Sequence, residues 1–346
     1  MSKQKTVNGK RKALKIAGII LCCLFGFVLL LLLGIRAYFR LPVGGYYRNS
    51  EKAFVIPGLS DGMIHQGLAY DRENDTFLIT GYRTDGKASQ VSVVSKADGK
   101  EVKRLNLANG DGSAFTGHVG GITVHGNYVY VADSKGLAVF DREDFVTAAN
   151  GADVRAVGLF GTAAEGDSLK VAFVHTEGDM IYVGEFYREV NYPTPDSHKR
   201  KTAAGDDNPA LILAYRLDDA ALFGISDRIE RAYSIPGLVQ GMCFDAEGKI
   251  YLSTSYAVAF SHIFCYDATK EEESITVLGQ TVPCYVLDSS TQTGDIKLAP
   301  MAEEIVIVDG KLYTMCESAT NKYIFGKFIS AKYCYATDIA KYGKDK

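Results

Sequence analysis

The N-terminal part of the chain contains one long apolar run without charges. Residues 16–35 are 20 consecutive uncharged residues, rich in Leu, Ile, Val and Phe. At about 1.5 Å rise per residue, a helix of this length spans roughly 30 Å, which is the thickness of the hydrocarbon core of a bilayer. The pattern therefore predicts one transmembrane helix at 16–35.

The charges before this run predict its orientation. A basic leader at 1–15 includes Lys10, Arg11, Lys12 and Lys15 and has no acidic residue. The positive-inside rule places such a leader in the cytoplasm, so we expect a single-pass protein of the cell membrane with the rest of the chain outside. A cleaved signal peptide is the alternative, but its apolar core is shorter and small residues follow it, whereas residues 36–40 here are Arg-Ala-Tyr-Phe-Arg.

Beyond the apolar run, the chain repeats a short pattern of alternating apolar and polar positions. Residues 66–82 and 240–256 align without a gap, and the same tetrapeptide, Ile-Pro-Gly-Leu, precedes each of them. Weaker copies begin at Gly121, Phe173 and Glu304. Each copy has an apolar strand, a turn and a second strand that carries an aromatic residue, and these aromatics are Phe77, Tyr130, Tyr182, Tyr251 and Tyr313.

A third and a fourth strand follow most copies, and four short strands per repeat are typical of a β-propeller blade. The fold class predicted is all-β, a five-bladed β-propeller preceded by one N-terminal transmembrane helix. A six-bladed propeller, with a degenerate blade at 268–300, is the alternative. The predicted organisation is a leader at 1–15, the helix at 16–35, a juxtamembrane linker at 36–51, the propeller at 52–340 and a tail at 341–346.

The blade pattern resembles that of the β-propeller repeat class seen in NHL, YncE-like and SMP-30-like proteins. The resemblance is carried by segments such as His-Val-Gly-Gly-Ile at 118–122 and Tyr-Val-Tyr-Val at 128–131. It implies a propeller over roughly 52–340. The class contains sensors, scaffolds, lactonases and glycan-active enzymes, so the resemblance alone implies no particular chemistry.

Charge distribution narrows the range of partners. The formal net charge of −3 combines eight basic residues within residues 1–40 with an excess of 11 acidic residues over basic ones in the rest of the chain. An acidic outer domain favours neutral or cationic partners. It disfavours nucleic acid, which needs a basic surface.

Candidate site residues follow from position, because the starts of inner strands and the ends of second strands meet at one face of a propeller, around the channel. The predicted ligand-binding residues at this face are His65, Gln66, Tyr82, Arg83, His118, Asp133, Glu185, Arg188, Gln240, Tyr256, Glu303 and Glu317. An insertion at 187–209 extends the third blade on the same face. Strand alternation predicts that one of the neighbours Glu303 and Glu304 faces the channel and the other faces away.

No cofactor is expected from a sequence motif, and zinc-ligand or phosphate-binding spacings are missing from the sequence. A divalent cation such as calcium is a hypothesis, with Asp133, Glu185 and Glu303 as candidate ligands, since carboxylate oxygens are the ligands that calcium prefers.

Three functions are compatible with this sequence. The first is a membrane-anchored extracytoplasmic binding or scaffold module that engages a protein, small-molecule or glycan ligand at its channel face. The second is a hydrolase of the lactonase or glycan-active kind that uses a channel cation or a carboxylate pair. The third is a structural subunit of an envelope complex. The sequence leaves open whether the protein is an enzyme.

Closure of the ring gives a testable prediction. Residues 53–56 precede the first inner strand with no blade before them, so they are expected to supply the outer strand of the last blade and to cover its exposed edge. We expect deletion of residues 51–57 to lower the melting temperature sharply, measured by circular dichroism or calorimetry. An unchanged melting temperature would contradict this closure.

Overall fold

The N-terminal segment is one continuous helix. The computed structural model describes residues 2–267, 271–329 and 331–342, so residues 343–346 of the predicted tail lie outside the described residues. Helix α1 (Ser2–Arg40) runs through the predicted leader and the predicted span. Its most apolar 18-residue window has a mean hydropathy of 3.1 and is not buried at all, so it is long and apolar enough to cross a membrane. A signal sequence meets the same criterion.

The remaining elements are almost all strands. The two further helices are α2 (Gly44–Arg48) and α3 (Arg142–Thr147). The strands are β1 (Ser50–Val55), β2 (Met63–Asp71), β3 (Thr76–Arg83), β4 (Gln90–Ser95), β5 (Glu101–Ala108), β6 (Ile122–His125), β7 (Tyr128–Asp133), β8 (Gly136–Asp141), β9 (Asp153–Gly161), β10 (Ala163–Ala164), β11 (Asp167–Ser168), β12 (Val171–Glu177), β13 (Met180–Glu185), β14 (Arg200–Lys201), β15 (Asp207–Asn208), β16 (Ala210–Leu217), β17 (Ile225–Ile235), β18 (Val239–Phe244), β19 (Ile250–Thr254), β20 (Ser261–Tyr266), β21 (Glu271–Val277), β22 (Gln280–Val286), β23 (Gln292–Leu298), β24 (Ala302–Val308), β25 (Lys311–Cys316) and β26 (Tyr333–Asp338). Short 3₁₀ turns occupy Leu41–Val43, Asp196–His198, Leu222–Gly224, Glu317–Ala319, Phe325–Phe328 and Ile339–Lys341.

Most strands belong to antiparallel four-stranded units, each written here from its inner to its outer strand. They are unit I (β2-β3-β4-β5), unit II (β6-β7-β8-β9), unit III (β12-β13-β16-β17), unit IV (β18-β19-β20-β23) and unit V (β24-β25-β26-β1). The aromatic residue predicted for each second strand lies in β3, β7, β13, β19 or β25, and all five of these side chains are buried. The repeats found in the sequence therefore correspond to structural units.

The inner strands of these units surround a common axis. Strand β2 contacts β6, β6 contacts β12, β12 contacts β18, β18 contacts β24, and β24 returns to β2. The chain is mostly β, with 49% of its residues in strands and 18% in helices. Such a ring of four-stranded sheets is a β-propeller, as the sequence predicts.

The two ends of the domain meet in unit V. Strand β1 pairs with β26 in antiparallel register, from Ser50 opposite Thr337 to Val55 opposite Tyr333. The N–H of Ile56 extends the ladder by donating to the carbonyl of Lys332 at 2.9 Å. The predicted closure of the ring by the first strand is confirmed.

The stretch 268–300 contributes to two neighbouring units. Its hairpin β21-β22 adds to the edge of unit III, where β22 runs parallel to the outer strand β17. Strand β23 is the outer strand of unit IV. Within the described residues of this stretch, no strand occupies an inner position.

The predicted linker at 36–51 packs against the propeller. Phe39, Val43 and Tyr46 are buried, and the hydroxyl of Tyr46 hydrogen-bonds with that of Thr314 in β25. The hydroxyl of Tyr47 donates to the carbonyl of Ile329 at 2.6 Å. This segment fixes the end of α1 to unit V.

Candidate functional site

One face of the propeller gathers most of the predicted site residues. Inner strands begin at this face and second strands end there, so we call it the channel face. The loops that leave β3, β7, β13, β19 and β25 also lie at this face.

A buried carboxyl group, that of Glu304, occupies the centre of the ring. Its Oε2 accepts hydrogen bonds from the backbone N–H groups of Leu68 and Ile122, each at 2.8 Å. Its Oε1 accepts from the N–H of Val174 at 3.2 Å. These donors lie in the inner strands of units I, II and III, while Glu304 lies in that of unit V. One side chain therefore links four units.

Glycines in neighbouring inner strands make room for this carboxylate. A Cβ on Gly121 would overlap Glu304 Oε1, and a Cβ on Gly241 would lie 2.6 Å from the Cα of Glu304. A side chain at Gly121 would displace the carboxyl group of Glu304, and a side chain at Gly241 would displace the backbone that carries it.

The prediction that only one of Glu303 and Glu304 faces the channel is wrong. Both side chains are buried, and both make contacts on the channel side. The reason is a break in the register between β24 and β25, from Ala302 to Ile305, which interrupts the alternation of side chains.

A second carboxyl lies close to Glu303 at the mouth of the channel. Glu317 Oε1 accepts hydrogen bonds from the hydroxyls of Tyr323 at 2.9 Å and Tyr82 at 3.4 Å. The amide of Gln240 is 3.5 Å from Glu303 Oε1. Both carboxyls thus face other polar side chains of the channel face.

A cation and an imidazole complete this group. Lys322 Nζ donates to the hydroxyl of Tyr82 at 2.8 Å and lies 3.9 Å from Glu317 Oε1. The imidazole of His118 packs on the ring of Tyr82, with 4.3 Å between the ring centroids. We call the whole group the channel cluster, and it consists of Tyr82, His118, Gln240, Glu303, Glu317, Lys322 and Tyr323.

Burial changes the protonation of the channel cluster. It raises the pKa of Glu303 well above its usual range, and the nearby Glu317 and Glu304 raise it further. Burial also raises the pKa of Glu317, although Tyr323 and Lys322 oppose this shift. For His118, which keeps contact with solvent, desolvation by its neighbours and the charge of Lys322 lower the pKa. The channel cluster therefore combines a neutral imidazole with carboxyls that hold their protons more tightly than exposed ones.

Glu185 is engaged elsewhere, in a buried carboxylate–imidazole–carboxylate arrangement. His198 Nδ1 lies 2.9 Å from Glu185 Oε2, and His198 Nε2 lies 3.1 Å from Asp167 Oδ1. Burial alone would lower the pKa of His198, but the two carboxylates outweigh it and raise the pKa. Asp167 also accepts from the N–H of Leu278, so this group ties the insertion to the β21-β22 hairpin.

The other predicted residues have their own partners. The guanidinium of Arg83 forms an ion pair with Asp85 at 2.7 Å, and Asp133 accepts from the N–H of Lys135 at 3.1 Å in its own turn. Arg188 packs on Tyr256, with its guanidinium carbon 4.2 Å from the ring centroid.

His65 and Gln66 are buried at the start of the inner strand of unit I. The amide of Gln66 donates to the carbonyl of His65 at 2.8 Å. Burial lowers the pKa of His65 to about 4, so this imidazole is neutral at physiological pH.

The structure shows no contact that joins Asp133 to Glu185 or Glu303. In the described part of the chain, no group of three or more His, Cys, Asp and Glu side chains is placed to hold a metal ion. Calcium binding stays a prediction.

Sequence reasoning missed Lys322, Tyr323, His198 and Asp167. The first two follow the end of β25 by a few residues, so extending each second strand into its following loop would have included them. His198 lies in the insertion that the sequence indicates, but only the fold brings it to Glu185.

Comparison with known families supports the class of fold. The family model of the LVIVD repeat matches residues 116–141, which contain β6, β7 and β8 of unit II. This repeat is associated with β-propellers, so the resemblance to β-propeller repeats is confirmed, and no specific family is assigned. Comparison with the curated proteins gives no match.

Several solved structures are distantly similar. They include a glutaminyl cyclase of Myxococcus xanthus, with 10% identity, a TM-score of 0.42 and coverage of 83% of this chain and 94% of that one. The calcium-binding protein regucalcin of Agrobacterium tumefaciens has 11% identity, a TM-score of 0.38 and coverage of 80% and 93%. A gluconolactonase of Xanthomonas campestris has 12% identity, a TM-score of 0.35 and coverage of 83% and 94%. Such distant likenesses assign no activity or ligand to this chain.

The central carboxylate can be tested by substitution. We expect Glu304→Ala to lower the free energy of unfolding by several kcal/mol, because three buried N–H groups lose their acceptor at about 1–3 kcal/mol each. Glu304→Gln retains one carbonyl oxygen and should cost less. The control, Glu247→Ala, removes an exposed surface ion pair and should cost under about 1 kcal/mol. Equal losses in Glu304→Ala and the control, measured by denaturant unfolding, would contradict a central role.

The same carboxyl makes a pH prediction. Burial raises the pKa of Glu304 to about 8, well above the usual value of a glutamate carboxyl, which is about 4.3. Between these values the folded state holds a proton that the unfolded state has lost, so the contribution of Glu304 to stability falls as pH rises from 5 to 8. We expect the stability difference between the wild type and Glu304→Gln to shrink over this range. A difference that is constant or grows with pH would contradict the prediction.

Proposed function

We propose that this protein is a five-bladed β-propeller, anchored outside a membrane by its N-terminal helix, that binds a ligand through its channel face. The five-blade count is supported by the ring of inner strands, β2, β6, β12, β18 and β24, in which each strand contacts the next. The hairpin β21-β22 lies at the edge of unit III and needs no sixth blade.

The observation that carries the binding function is the channel cluster. The mouth of the channel brings together two carboxyls, two phenols, an amide, an imidazole and a lysine. Among them, Glu317 accepts hydrogen bonds from the hydroxyls of both Tyr82 and Tyr323. Glu303 and Glu317 are both buried, and two buried carboxyls close together are expensive to maintain for stability alone. The channel cluster can instead exchange its internal hydrogen bonds for those of a polar ligand.

The chemistry of the channel cluster defines the class of ligand. Carboxyls and phenols hydrogen-bond to hydroxyls and amines, and aromatic rings pack on the apolar faces of sugars or peptide side chains. The excess of acidic residues outside the N-terminal 40 residues favours neutral or cationic ligands. A glycan, a small polyol-like molecule or a basic segment of a protein fits these requirements, and nucleic acid does not.

A hydrolase is the second candidate, and the pair of Glu303 and Glu317 is what favours it. General acid–base hydrolysis needs one carboxyl that keeps its proton and one that is ionised. Burial raises the pKa of both carboxyls, but for Glu317 two phenol donors and a nearby lysine oppose the rise, whereas for Glu303 the neighbouring carboxyls add to it. This asymmetry supports an acid role for Glu303 and a base or nucleophile role for Glu317.

The two functions can be separated with one set of variants. Thermal melts of the full chain in detergent would be recorded with oligosaccharides, sugar lactones and short basic peptides, for wild type, Glu303→Gln/Glu317→Gln and the exposed control Glu247→Gln. We expect the melting temperature of wild type and control to rise with a bound probe, and that of the double variant to stay constant.

An equal rise in the double variant would contradict binding at the channel cluster. Product release from a lactone or oligosaccharide, detected by chromatography and lost in either single variant, would favour the hydrolase.

Membrane anchoring has its own test. Val28→Asp/Leu30→Asp places two charges within the apolar run, each costing about 2.5–3.5 kcal/mol at the centre of a membrane helix. We expect this variant to leave the membrane fraction on alkaline carbonate extraction, while wild type and the exposed outer-strand control Val102→Asp remain in it. Protease added outside intact cells should cleave the propeller. A mature protein whose N-terminus begins after the apolar run would instead identify a signal sequence.

A further inference from the structure

The end of helix α1 contacts loops of the channel face. Phe39 stacks on Phe325 at 5.8 Å and contacts Phe260 at 6.3 Å between ring centroids. Phe260 lies in the loop after β19, and Phe325 lies in the loop after β25. Both loops belong to the channel face, because second strands end there.

The predicted transmembrane span ends next to the contact between Phe39 and the channel-face loops. Ile35, its last residue, packs against the core cluster that contains Phe39. Phe39 lies four positions after Ile35 in the helix, which is an axial distance of about 6 Å at 1.5 Å per residue. If the helix spans a membrane, as proposed above, the channel-face rim of units IV and V lies within about one helical turn of the hydrocarbon.

Three channel-face loops carry large apolar side chains in solvent. Val190 is 79% exposed, Val258 is 59% exposed and Ile324 is 79% exposed. They lie in the loops that follow β13, β19 and β25, so they belong to units III, IV and V. The corresponding loops of units I and II, residues 84–89 and 134–135, are short and polar.

The segment at the end of α1 extends this apolar edge. Tyr38 and Leu41 are 65% and 76% exposed beside the same rim. Tyr192, in the loop of Val190, is also exposed. Tyrosines of this kind are enriched where proteins meet the headgroup region of a bilayer, since the ring prefers the apolar side and the hydroxyl prefers water.

We propose that the channel face lies on the outer surface of the membrane that holds the helix, with the loops of units III, IV and V inserted into the lipid interface. The occupant of this apolar edge is lipid, because the edge is continuous with the end of a membrane-spanning helix. The inference rests on the proposed anchoring. It further implies that ligands reach the channel cluster from the polar side formed by units I and II.

The chain has no tryptophan, so a single introduced Trp is a clean probe of depth. The full chain would be reconstituted into vesicles that contain brominated phosphatidylcholine, which quenches Trp only in or near the lipid. The test positions are Val190→Trp, Val258→Trp and Ile324→Trp. Matched controls are Val102→Trp and Val157→Trp on outer strands and Leu222→Trp on the opposite face, all of which replace exposed apolar residues. Phe25→Trp reports on the helix itself.

We expect strong quenching at Phe25→Trp, clear quenching and a blue-shifted emission at the three test positions, and no quenching at the controls. If Phe25→Trp is quenched but the test positions are quenched no more than Val102→Trp, the proposal that this face contacts lipid is overturned. The proposal of membrane anchoring is then retained. If Phe25→Trp is not quenched in membrane-bound protein, the anchoring proposal fails and the inference fails with it.

A second copy of the chain could also cover these loops. In that case the test positions would be shielded from acrylamide in the aqueous phase but would not be quenched by the brominated lipid. That combination would overturn the lipid assignment.

Discussion

The centre of this propeller depends on the hydrogen bonds that the side-chain carboxyl of Glu304 accepts from three backbone N–H groups. A ring of sheets leaves an axial channel lined by the backbones of the inner strands, and any N–H that faces the axis must find an acceptor. One side chain meets this need for units I, II and III at once, since its two oxygens accept three N–H groups. The neighbouring glycines follow from the same constraint, because the carboxylate fits only where no Cβ intervenes.

The side chain of Glu304 fills the centre of the ring, so the channel is confined to its mouth at the channel face. Glu303 sits immediately before Glu304 in the bulged start of β24, so the fold that places one carboxyl on the axis places the next at the channel face. There it meets Glu317, Tyr82 and Gln240 from three other positions of the ring. The candidate site thus lies next to the central carboxyl of Glu304, while His198 of the long insertion of unit III is engaged separately, with Glu185.

Much of the fold could be predicted from the sequence, because the repeat is encoded locally. Alternating apolar positions, glycine turns and one aromatic residue per second strand, such as Phe77 or Tyr251, specify each pair of strands without reference to the rest of the chain. Residues 53–56 indicated closure because they form a strand with no unit before them. Strand position alone predicted that five residues lie at the mouth of the channel, and the structure brings these five together: Tyr82, His118, Gln240, Glu303 and Glu317.

What the sequence could not predict depends on contacts between distant segments. The bulge at the start of β24 changes which way Glu303 points, and strand alternation gives no sign of it. Lys322 and Tyr323 belong to an irregular loop whose path is set by packing on α1 and unit I. His198 acquires its two carboxylates only after the insertion folds back across unit III. In each case the residue type is visible in the sequence, but its partner is not.

The pairing of β1 with β26 also determines when the domain can be completed during synthesis. The first strand to leave the ribosome has its partner in the last one, so its edge stays unpaired until nearly the whole chain has been made. Until then units I to IV can form from local contacts, while β1 waits for β26, the strand beside it in unit V. With the helix before β1 held in a membrane, as proposed, the waiting strand would be tethered at one place, and its open edge would meet other chains less often.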